Sequence, residues 1–321
     1  MEYVQLAPNL PPSSRLGFGC GSVMGRVGRA ESLRAIAAAL DAGITHFDVA
    51  RLYGYGEAEA VLGEALRGRR DRVVIASKFG LAATRTASAL RGLKPLAQSA
   101  IAAVPALRPL IRSLVGTART PEPLTPAAAR ISLHESLRAL KTDYLDILLL
   151  HEGQPADLGH EMLAFLEGEL SAGTIRAYGA ASSIDTVVQL SESGAADLLY
   201  QFANSAWLRN AERLPSSARR AIGHSPFLGS DRVLSLLDRE AEQFCLPGGR
   251  KLEPRDVHPL MLAYALSSDR IGVVLCSMLD RKHLDANIRV AERPSFAVEE
   301  IAGFAAGIRT AAQNAGLENA S

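Results

Sequence analysis

The sequence predicts an α/β fold in which eight parallel strands close into a barrel surrounded by helices, the (β/α)8 or TIM barrel. Eight short apolar runs alternate with amphipathic stretches along the chain. Most of these runs are continuous, which is typical of parallel strands covered on both faces. The rival is an open, doubly wound sheet, but residues 17–22 (GFGCGS) lack the G-x-G-x-x-G spacing of its dinucleotide-binding turn. The barrel is therefore the favoured fold.

The elements follow one another in the order that a barrel requires. The predicted strands are residues 16–22, 45–50, 73–78, 145–151, 175–181, 199–203, 221–225 and 271–276. The predicted helices are residues 30–42, 58–67, 125–140, 160–172, 184–193, 231–244 and 257–267. Glycines follow several of these helices, as expected where helices end. Since a crossover between parallel strands is right-handed, this order builds one parallel sheet, and eight strands suffice to close it.

The connection after the third strand is far longer than the few residues that such loops usually have. Residues 82–124 are therefore predicted to be an insertion within one domain that spans residues 1–321. Its apolar residues recur at near-helical spacing, interrupted by prolines, and it is rich in arginine. After strand three it would lie at the C-terminal mouth of the barrel, where active sites are built. It is interpreted either as a cap over an acidic or apolar substrate or as a surface insertion.

Composition excludes several classes of protein. Thirty-five Lys and Arg against 34 Asp and Glu leave a formal net charge of +1, without the cationic surplus of a nucleic-acid binder or a polybasic membrane protein. Cys20, Cys245 and Cys276 are far apart, which argues against a disulfide framework or a structural zinc site and favours a reducing compartment. There is no signal-peptide pattern at the start and no apolar run of about 18 residues. We expect a cytoplasmic protein without nucleic-acid or membrane partners.

Polar side chains follow three consecutive strands. Asp48, Lys78 and His151 end the second, third and fourth predicted strands, and Tyr53 follows Asp48 in a glycine-rich loop. Because the carboxyl ends of parallel strands meet at one rim, these four side chains are expected to lie close together. Taken singly, each has a structural explanation, such as a helix start, a snorkelling lysine or a packed ring. Together they supply complementary acid–base groups, which favours a catalytic site.

This arrangement resembles the aldo-keto reductase family, over almost the whole chain apart from the insertion and the two termini. Residues 48–59 have the family's D-x-A-x-x-Y-G-x-G-x-x-E spacing, and Leu62 and Gly63 continue it. The strand-end Lys78 and His151 match as well. Further matching segments lie at the start of strand five, in strand six and after strand eight: residues 173–179, 201–204 and 275–287.

The resemblance implies an NAD(P)H-dependent oxidoreductase that interconverts a small aldehyde or ketone and the corresponding alcohol without a metal. Tyr53 would donate the proton to the carbonyl oxygen. Lys78, kept cationic by Asp48, is expected to lower the pKa of Tyr53. His151 would donate a hydrogen bond to the substrate oxygen and orient it. The sequence makes no prediction of the oligomeric state.

The resemblance also implies a set of cofactor-binding positions, several of which depart from the family's pattern. These positions are Ser182, Gln201, His224, Ser225, Phe227, Ser277, Arg281 and Asn287. Ala181 and Ser182 stand where the family has Ser and Asn, and His224 replaces the tyrosine that backs the nicotinamide ring. Ser277, Asp280 and His283 replace basic residues that bind the 2′-phosphate, although Arg281 and Lys282 lie close by. NADP(H) is favoured, with NAD(H) as the alternative.

Two other functions remain open at this point. The altered cofactor positions are compatible with a nucleotide-sensing or accessory protein on the same fold. A strand-end lysine is also compatible with a Schiff-base aldolase that uses Lys78. Trp207 is interpreted either as a lining residue or as packing between barrel and helix, and His46 as a residue of the barrel interior rather than a metal ligand.

Overall fold

Each of the eight predicted apolar runs forms a strand, and the strands close into a parallel barrel in which every strand pairs with the next along the chain and the last pairs with the first. The computed structural model describes residues 1–83, 119–193, 197–244, 246–293 and 295–317. The barrel strands are β1 (Leu16–Gly19), β2 (His46–Asp48), β3 (Val74–Phe79), β4 (Leu145–His151), β5 (Ile175–Ala181), β6 (Leu199–Ala203), β7 (Ala221–His224) and β8 (Ile271–Cys276). The predicted fold class is confirmed.

Helices connect the strands. They are α1 (Arg29–Asp41), α2 (Ala58–Ala65), α3 (Pro126–Leu140), α4 (His160–Ser171), α5 (Ile184–Glu192), α6 (Ser230–Arg239), α7 (Val257–Ser267), α8 (Arg281–Glu292) and α9 (Val298–Asn314). Local sequence fixes several starts: Thr125 and Ser183 accept hydrogen bonds from the backbone N–H groups of Ala128 and Thr186, each at 3.3 Å. All seven predicted helices are present, but the one predicted over 231–244 ends at Arg239, before a separate short turn at Ala241–Phe244.

The N-terminal end of the barrel is sealed by an apolar plug. A short antiparallel pair, Tyr3–Val4 with Ser13–Ser14, precedes β1. Val4, Leu6 and Leu10 pack into the same buried cluster as the inward-facing residues of the strands. Because this end is filled, the barrel interior can open to solvent only at the opposite, C-terminal ends of the strands.

Two residues interpreted from the sequence have clear places in the packing. His46 is fully buried in the barrel, with Nδ1 3.4 Å from Ser13 Oγ, as predicted for an interior residue. Trp207 packs against the buried cluster under α6 and α7, and a Cβ on Gly229 would lie 2.5 Å from its ring. Its role in the described structure is packing.

The insertion leaves and rejoins the barrel through a short antiparallel pair, Leu81–Ala83 with Arg119–Pro121. Residues 84–118, which carry the helical spacing, the prolines and most of the arginines of the insertion, lie outside the described residues. Of the cysteines, Cys20 and Cys276 are buried free thiols, and Cys245 is likewise outside the described residues. Among the helices that the structure describes, none combines the length and the apolarity needed to cross a membrane.

Candidate active site

A cavity of about 870 Å³ opens at the C-terminal end of the barrel. Every barrel strand, or the loop that follows it, contributes to the wall of this cavity. All four residues interpreted as catalytic, Asp48, Tyr53, Lys78 and His151, line it. Its volume lies within the range of about 300–1,000 Å³ that is usual for sites that bind small molecules and cofactors.

Lys78 and Asp48 form a buried ion pair at the bottom of this cavity. Lys78 Nζ lies 2.7 Å from Asp48 Oδ1 and 2.6 Å from Oδ2, and it also donates to the backbone oxygen of Val49 at 3.2 Å. The two side chains are only 2% and 4% exposed. Burial by itself lowers the pKa of Lys78, but the charge of Asp48 and its hydrogen bond, together with Tyr53, raise the pKa above the ordinary value. The lysine is therefore held as a cation.

Gln201 contacts the same carboxylate from β6. Its Nε2 donates to Asp48 Oδ2 at 2.8 Å, so that the carboxylate accepts from both Lys78 and Gln201. The Oε1 atom of Gln201 is buried and accepts no hydrogen bond from the described residues. A buried amide oxygen without a donor costs about 1–3 kcal/mol, and a bound ligand with an N–H group would remove that cost.

Tyr53 is positioned by a tight turn that requires a glycine at position 54. The turn Tyr53–Gly56 has Gly54 at φ +59°, and a Cβ on Gly54 would lie 2.6 Å from the backbone oxygen of Val23. A glycine is therefore required at position 54 both by its left-handed conformation and by the close approach of the neighbouring chain. This turn brings the Tyr53 ring to 5.2 Å from Lys78 Nζ and sets it edge-on to the His151 ring, with 6.2 Å between ring centroids.

The pKa of Tyr53 departs from the expectation. Burial raises the pKa of this phenol above its ordinary value of 10.0, and the lowering effect of Lys78 is smaller than the effect of burial. As expected, Lys78 lowers the pKa of Tyr53. The expectation that the pKa lies below the ordinary value is wrong, because the cavity wall also excludes water from the phenol, and this raises the pKa by more. Tyr53 is accordingly a protonated phenol at neutral pH.

An ion-pair cluster fixes the start of the loop that carries Tyr53. Arg51 Nη1 lies 2.6 Å from Glu122 Oε1 and 3.1 Å from Ser132 Oγ, and Arg51 Nη2 pairs with Glu135. Glu122 comes directly after the returning strand of the insertion, while Ser132 and Glu135 belong to α3. The Tyr53 loop is therefore tied to two neighbouring parts of the molecule.

The cavity includes half of the residues interpreted as cofactor-binding. Ser182, Gln201, His224 and Ser277 line it. Burial lowers the pKa of His224 to about 4, so that this ring is neutral near pH 7. The Oγ of Ser182 donates to the backbone oxygen of Gly153 at 2.9 Å.

The other four lie outside the cavity wall. Ser225 follows His224, and its Oγ lies 2.9 Å from the His224 Nδ1. Phe227 packs against His258, with 5.6 Å between ring centroids. Arg281 is paired with Asp285 at 2.8 Å on the surface of α8, and Asn287 is buried in the same helix.

Several cavity-lining polar residues were missed by sequence reasoning. Asp185 lies in the first turn of α5, and Asn210 and Arg213 lie in the turn that follows β6. Only their position in the sequence could have identified these residues, since each comes after the C-terminal end of a barrel strand, where active-site loops lie. Among the residues that the structure describes, no group of three or more His, Cys, Asp or Glu side chains could hold a metal ion.

Comparison with known proteins agrees with this geometry. The model of the Aldo/keto reductase family matches residues 15–214. The chain is 30% identical over 185 residues to aldo-keto reductase YhdN of Bacillus subtilis (strain 168), covering 56% of this chain and 46% of the relative. It is 30% identical over 226 residues to D-threo-aldose 1-dehydrogenase of Pseudomonas sp., covering 65% of this chain and 63% of the relative. The matched part of this chain therefore spans about half to three fifths of these relatives.

A solved aldo-keto reductase structure has the same fold as this chain. The holo form of aldo-keto reductase AKR11C1 from Bacillus halodurans superposes with a TM-score of 0.71 at 22% sequence identity. The superposition covers 97% of this chain and 96% of that protein, so the likeness extends over the whole barrel. The family model matches more than half of the chain, including the six barrel strands β1 to β6 and the residues Asp48, Tyr53, Lys78 and His151 of the cavity. This chain therefore belongs to the aldo/keto reductase family.

Proposed function

We propose that this protein is an NAD(P)(H)-dependent oxidoreductase that interconverts an aldehyde or ketone and the corresponding alcohol, with Tyr53 as the proton donor. The observation that carries the proposal is the arrangement in one cavity of a protonated phenol, a buried ammonium and an imidazole. Lys78 Nζ lies 5.2 Å from the Tyr53 ring centroid, and the His151 ring stands at 90° to the Tyr53 ring.

Each side chain has a distinct part in the proton transfer. Tyr53 donates its proton to the carbonyl oxygen during reduction and takes it back during oxidation. The phenolate left behind is stabilised by Lys78, whose charge is maintained by both oxygens of Asp48. His151 donates a hydrogen bond to the same substrate oxygen, where negative charge develops. Because these groups are fixed before the substrate arrives, little reorganisation accompanies the reaction.

The cavity fits a nicotinamide cofactor, which supplies the hydride when bound. The buried Oε1 of Gln201, without a donor among the described residues, suits the N–H group of a carboxamide. Ser182 and Ser277 offer further hydrogen bonds, and the neutral ring of His224 suits contact with a flat heterocycle. Ser225, Phe227, Arg281 and Asn287 remain predictions for the rest of the nucleotide. NADP(H) is favoured over NAD(H), because Arg281 and Lys282 lie close to the positions expected to bind the 2′-phosphate.

The same geometry argues against the aldolase alternative. A Schiff base requires a neutral amine, yet the carboxylate of Asp48 raises the pKa of Lys78 against the effect of burial. The small-molecule substrate is a carbonyl compound or an alcohol. The isolated cysteines and balanced charge support the proposal that the protein works in a reducing cytoplasm.

Single-turnover kinetics test the proposal. Protein saturated with NADPH is mixed with 4-nitrobenzaldehyde, and the loss of NADPH absorbance is followed. Oxidation well above the rate without protein is expected. NADPH binding without any oxidation would favour the sensing alternative, and a borohydride-trapped adduct on Lys78 would favour the aldolase.

A further inference from the structure

The loop that carries Tyr53, residues 49–57, contains a buried cation that the proton-transfer scheme does not use. Arg51 and Leu52 form the centre of a turn that is closed by a hydrogen bond from Tyr53 N to Ala50 O at 3.0 Å. The Arg51 side chain is only 17% exposed and is not among the described residues that line the cavity. It occupies a position that the D-x-A-x-x-Y spacing leaves open. Because a buried cation is costly without partners, the partners of Arg51 decide where this turn lies.

The acceptors around Arg51 come from two other segments of the chain. Nη1 lies 2.6 Å from Glu122 Oε1 and 3.1 Å from Ser132 Oγ, and Nη2 pairs with Glu135. Hydrogen bonds between a guanidinium and a carboxylate are strong and directional, and Arg51 makes one to each of two carboxylates. A methyl group in its place would leave these two carboxylates without the cation between them. The guanidinium therefore holds three segments together.

One of these acceptors leads directly to the strand that carries Lys78. The backbone N–H of Glu122 donates to the backbone oxygen of Gly80 at 2.8 Å, and Gly80 lies two residues after Lys78. Arg51 in turn lies two residues before Tyr53. The contact between Arg51 and Glu122 therefore joins the backbone beside the phenol to the backbone beside the ammonium. Since Glu122 belongs to the insertion, the insertion supplies this anchor.

The far end of the Tyr53 loop has its own connection to the same strand. Glu59, in the first turn of α2, is 4% exposed, and its Oε1 accepts a hydrogen bond from Ser77 Oγ at 2.6 Å. Ser77 directly precedes Lys78. The loop is thus bound to β3 on both sides of Lys78, through Glu59 at its end and through Arg51 at its beginning. With only one connection the loop could turn about it, and the distance of 5.2 Å between Lys78 Nζ and the Tyr53 ring would not be fixed.

We propose that Arg51 is a positioning residue for the proton transfer: anchored by Glu122, it fixes the phenol of Tyr53 relative to Lys78. This inference rests on the proposed function, in which Tyr53 is the proton donor, and adds to it a residue outside the cavity wall. The reaction depends steeply on such placement, since a displacement of about 1 Å can slow a step by about 10²-fold. The insertion contributes to the reaction through the carboxylate of Glu122.

Single-turnover reduction of 4-nitrobenzaldehyde by NADPH-saturated protein tests this role in two backgrounds. Arg51→Ala should slow the reaction at least about tenfold when Tyr53 is present, and less than about twofold when Tyr53→Phe has already removed the proton donor. A merely structural loss would slow both backgrounds alike. The Kd for NADPH, from fluorescence titration, should stay within about twofold of the wild-type value. Glu122→Ala should show the same dependence on the background.

Two further variants complete the design. Arg51→Lys keeps a cation between the two carboxylates with one nitrogen in place of two, so its rate should lie between those of the wild type and Arg51→Ala. The matched control is Arg70, which is also 17% exposed and pairs with Asp146 near the N-terminal ends of β3 and β4. Arg70→Ala should lower the free energy of unfolding in urea and leave the single-turnover rate unchanged. If Arg51→Ala does not fold, Arg51→Lys and Glu122→Ala carry the same comparison.

Each other outcome overturns the inference in a recognisable way. A wild-type rate in Arg51→Ala, or equal losses with and without Tyr53, would contradict the positioning role and leave the proposed function intact. A wild-type rate in Glu122→Ala would refute the anchor. A protein that reduces nothing contradicts the proposed function, and hydrogen exchange then tests the positioning alone. The peptide covering residues 49–57 should exchange at least about tenfold faster in Arg51→Ala than in the wild type, with β4 unchanged, and equal exchange refutes the positioning role.

Discussion

The side-chain amide of Gln201 donates to Asp48 Oδ2 at 2.8 Å, on the carboxylate that also holds Lys78. Gln201, which is predicted to bind the cofactor, is therefore hydrogen-bonded directly to the residue that keeps Lys78 charged. One amide group contacts the carboxylate with its nitrogen and leaves its buried oxygen for a ligand. In the proposed function, the side chain of Gln201 links cofactor binding to the charge beside Tyr53.

Replacement of Gln201 by Met should weaken both functions of this side chain. The variant loses the acceptor offered to the cofactor and the donor to Asp48, each a hydrogen bond in a buried site. We expect the Kd for NADPH to rise about tenfold or more, measured by fluorescence titration. An unchanged Kd would show that the Oε1 of Gln201 does not contact the cofactor. Gln313→Met, on the exposed face of α9 and outside the cavity wall, is the control and should bind NADPH as the wild type does.

Replacement of Asp48 by Asn should destabilise the fold as well as impair turnover. Lys78 would be left as a buried, uncompensated charge, which typically costs about 3–5 kcal/mol. Urea unfolding should show this loss. Asp197→Asn, which breaks an exposed pair, should change the free energy of unfolding by less than about 1 kcal/mol. Equal stability of Asp48→Asn and the wild type would contradict the buried ion pair.

Acid should destabilise the protein through His46, which is fully buried, and His224, which is partly buried in the cavity wall. Burial lowers the pKa of His46 and of His224 from 6.5 to about 4. Because the unfolded chain binds these protons more readily, the stability that each neutral ring contributes is complete above pH 6.5 and is lost as pH falls toward 4. Each pH unit in this window costs up to about 1.4 kcal/mol per histidine.

Chemical unfolding between pH 7 and pH 4 measures this effect. The variant His224→Phe should show a shallower loss of stability with falling pH than the wild type. His134→Gln, on the exposed face of α3, is the control and should keep the slope of the wild type. A His224→Phe slope identical to that of the wild type would mean that this ring is already solvated in the folded protein.

Replacement of Gly54 by Ala should displace the Tyr53 turn. The new methyl group would lie 2.6 Å from the backbone oxygen of Val23, and the backbone is at φ +59°. We expect carbonyl reduction to fall at least about tenfold while circular dichroism shows an intact barrel. Gly68→Ala has the same left-handed strain, with φ +73°, but its methyl group meets no atom within 4 Å, so it should remain active. Full activity in Gly54→Ala would show that the turn does not position Tyr53.

The barrel strands and the residues at their C-terminal ends could be predicted because they depend on local patterns of apolar and polar residues. Apolar runs with polar ends predict where strands stop, and the carboxyl ends of parallel strands necessarily meet, so Asp48, Lys78 and His151 could be brought together from the sequence. Helix α8 was missed because the segment from 275 to 287 was interpreted only as a cofactor segment. Helix α9 was missed as well, and it packs with α7 and the turn at Ala241–Phe244.

The remaining differences arise from burial and from contacts between distant segments. The pKa of Tyr53 depends on how much water the cavity wall excludes, which no motif records. The bond between Gln201 and Asp48 joins residues that are 153 positions apart. The pairing of Arg213 with Asp185 likewise depends on the path of two separate loops.

The central claim is that Tyr53 is the proton donor, and Tyr53→Phe tests it most directly. The substitution removes one oxygen atom and leaves the ion pair of Lys78 and Asp48 in place. Single-turnover reduction of 4-nitrobenzaldehyde should slow by about 10²–10⁴-fold, the usual contribution of a positioned general acid, while the Kd for NADPH stays within about twofold of the wild-type value. Reduction at the wild-type rate by the NADPH-bound variant would contradict the account.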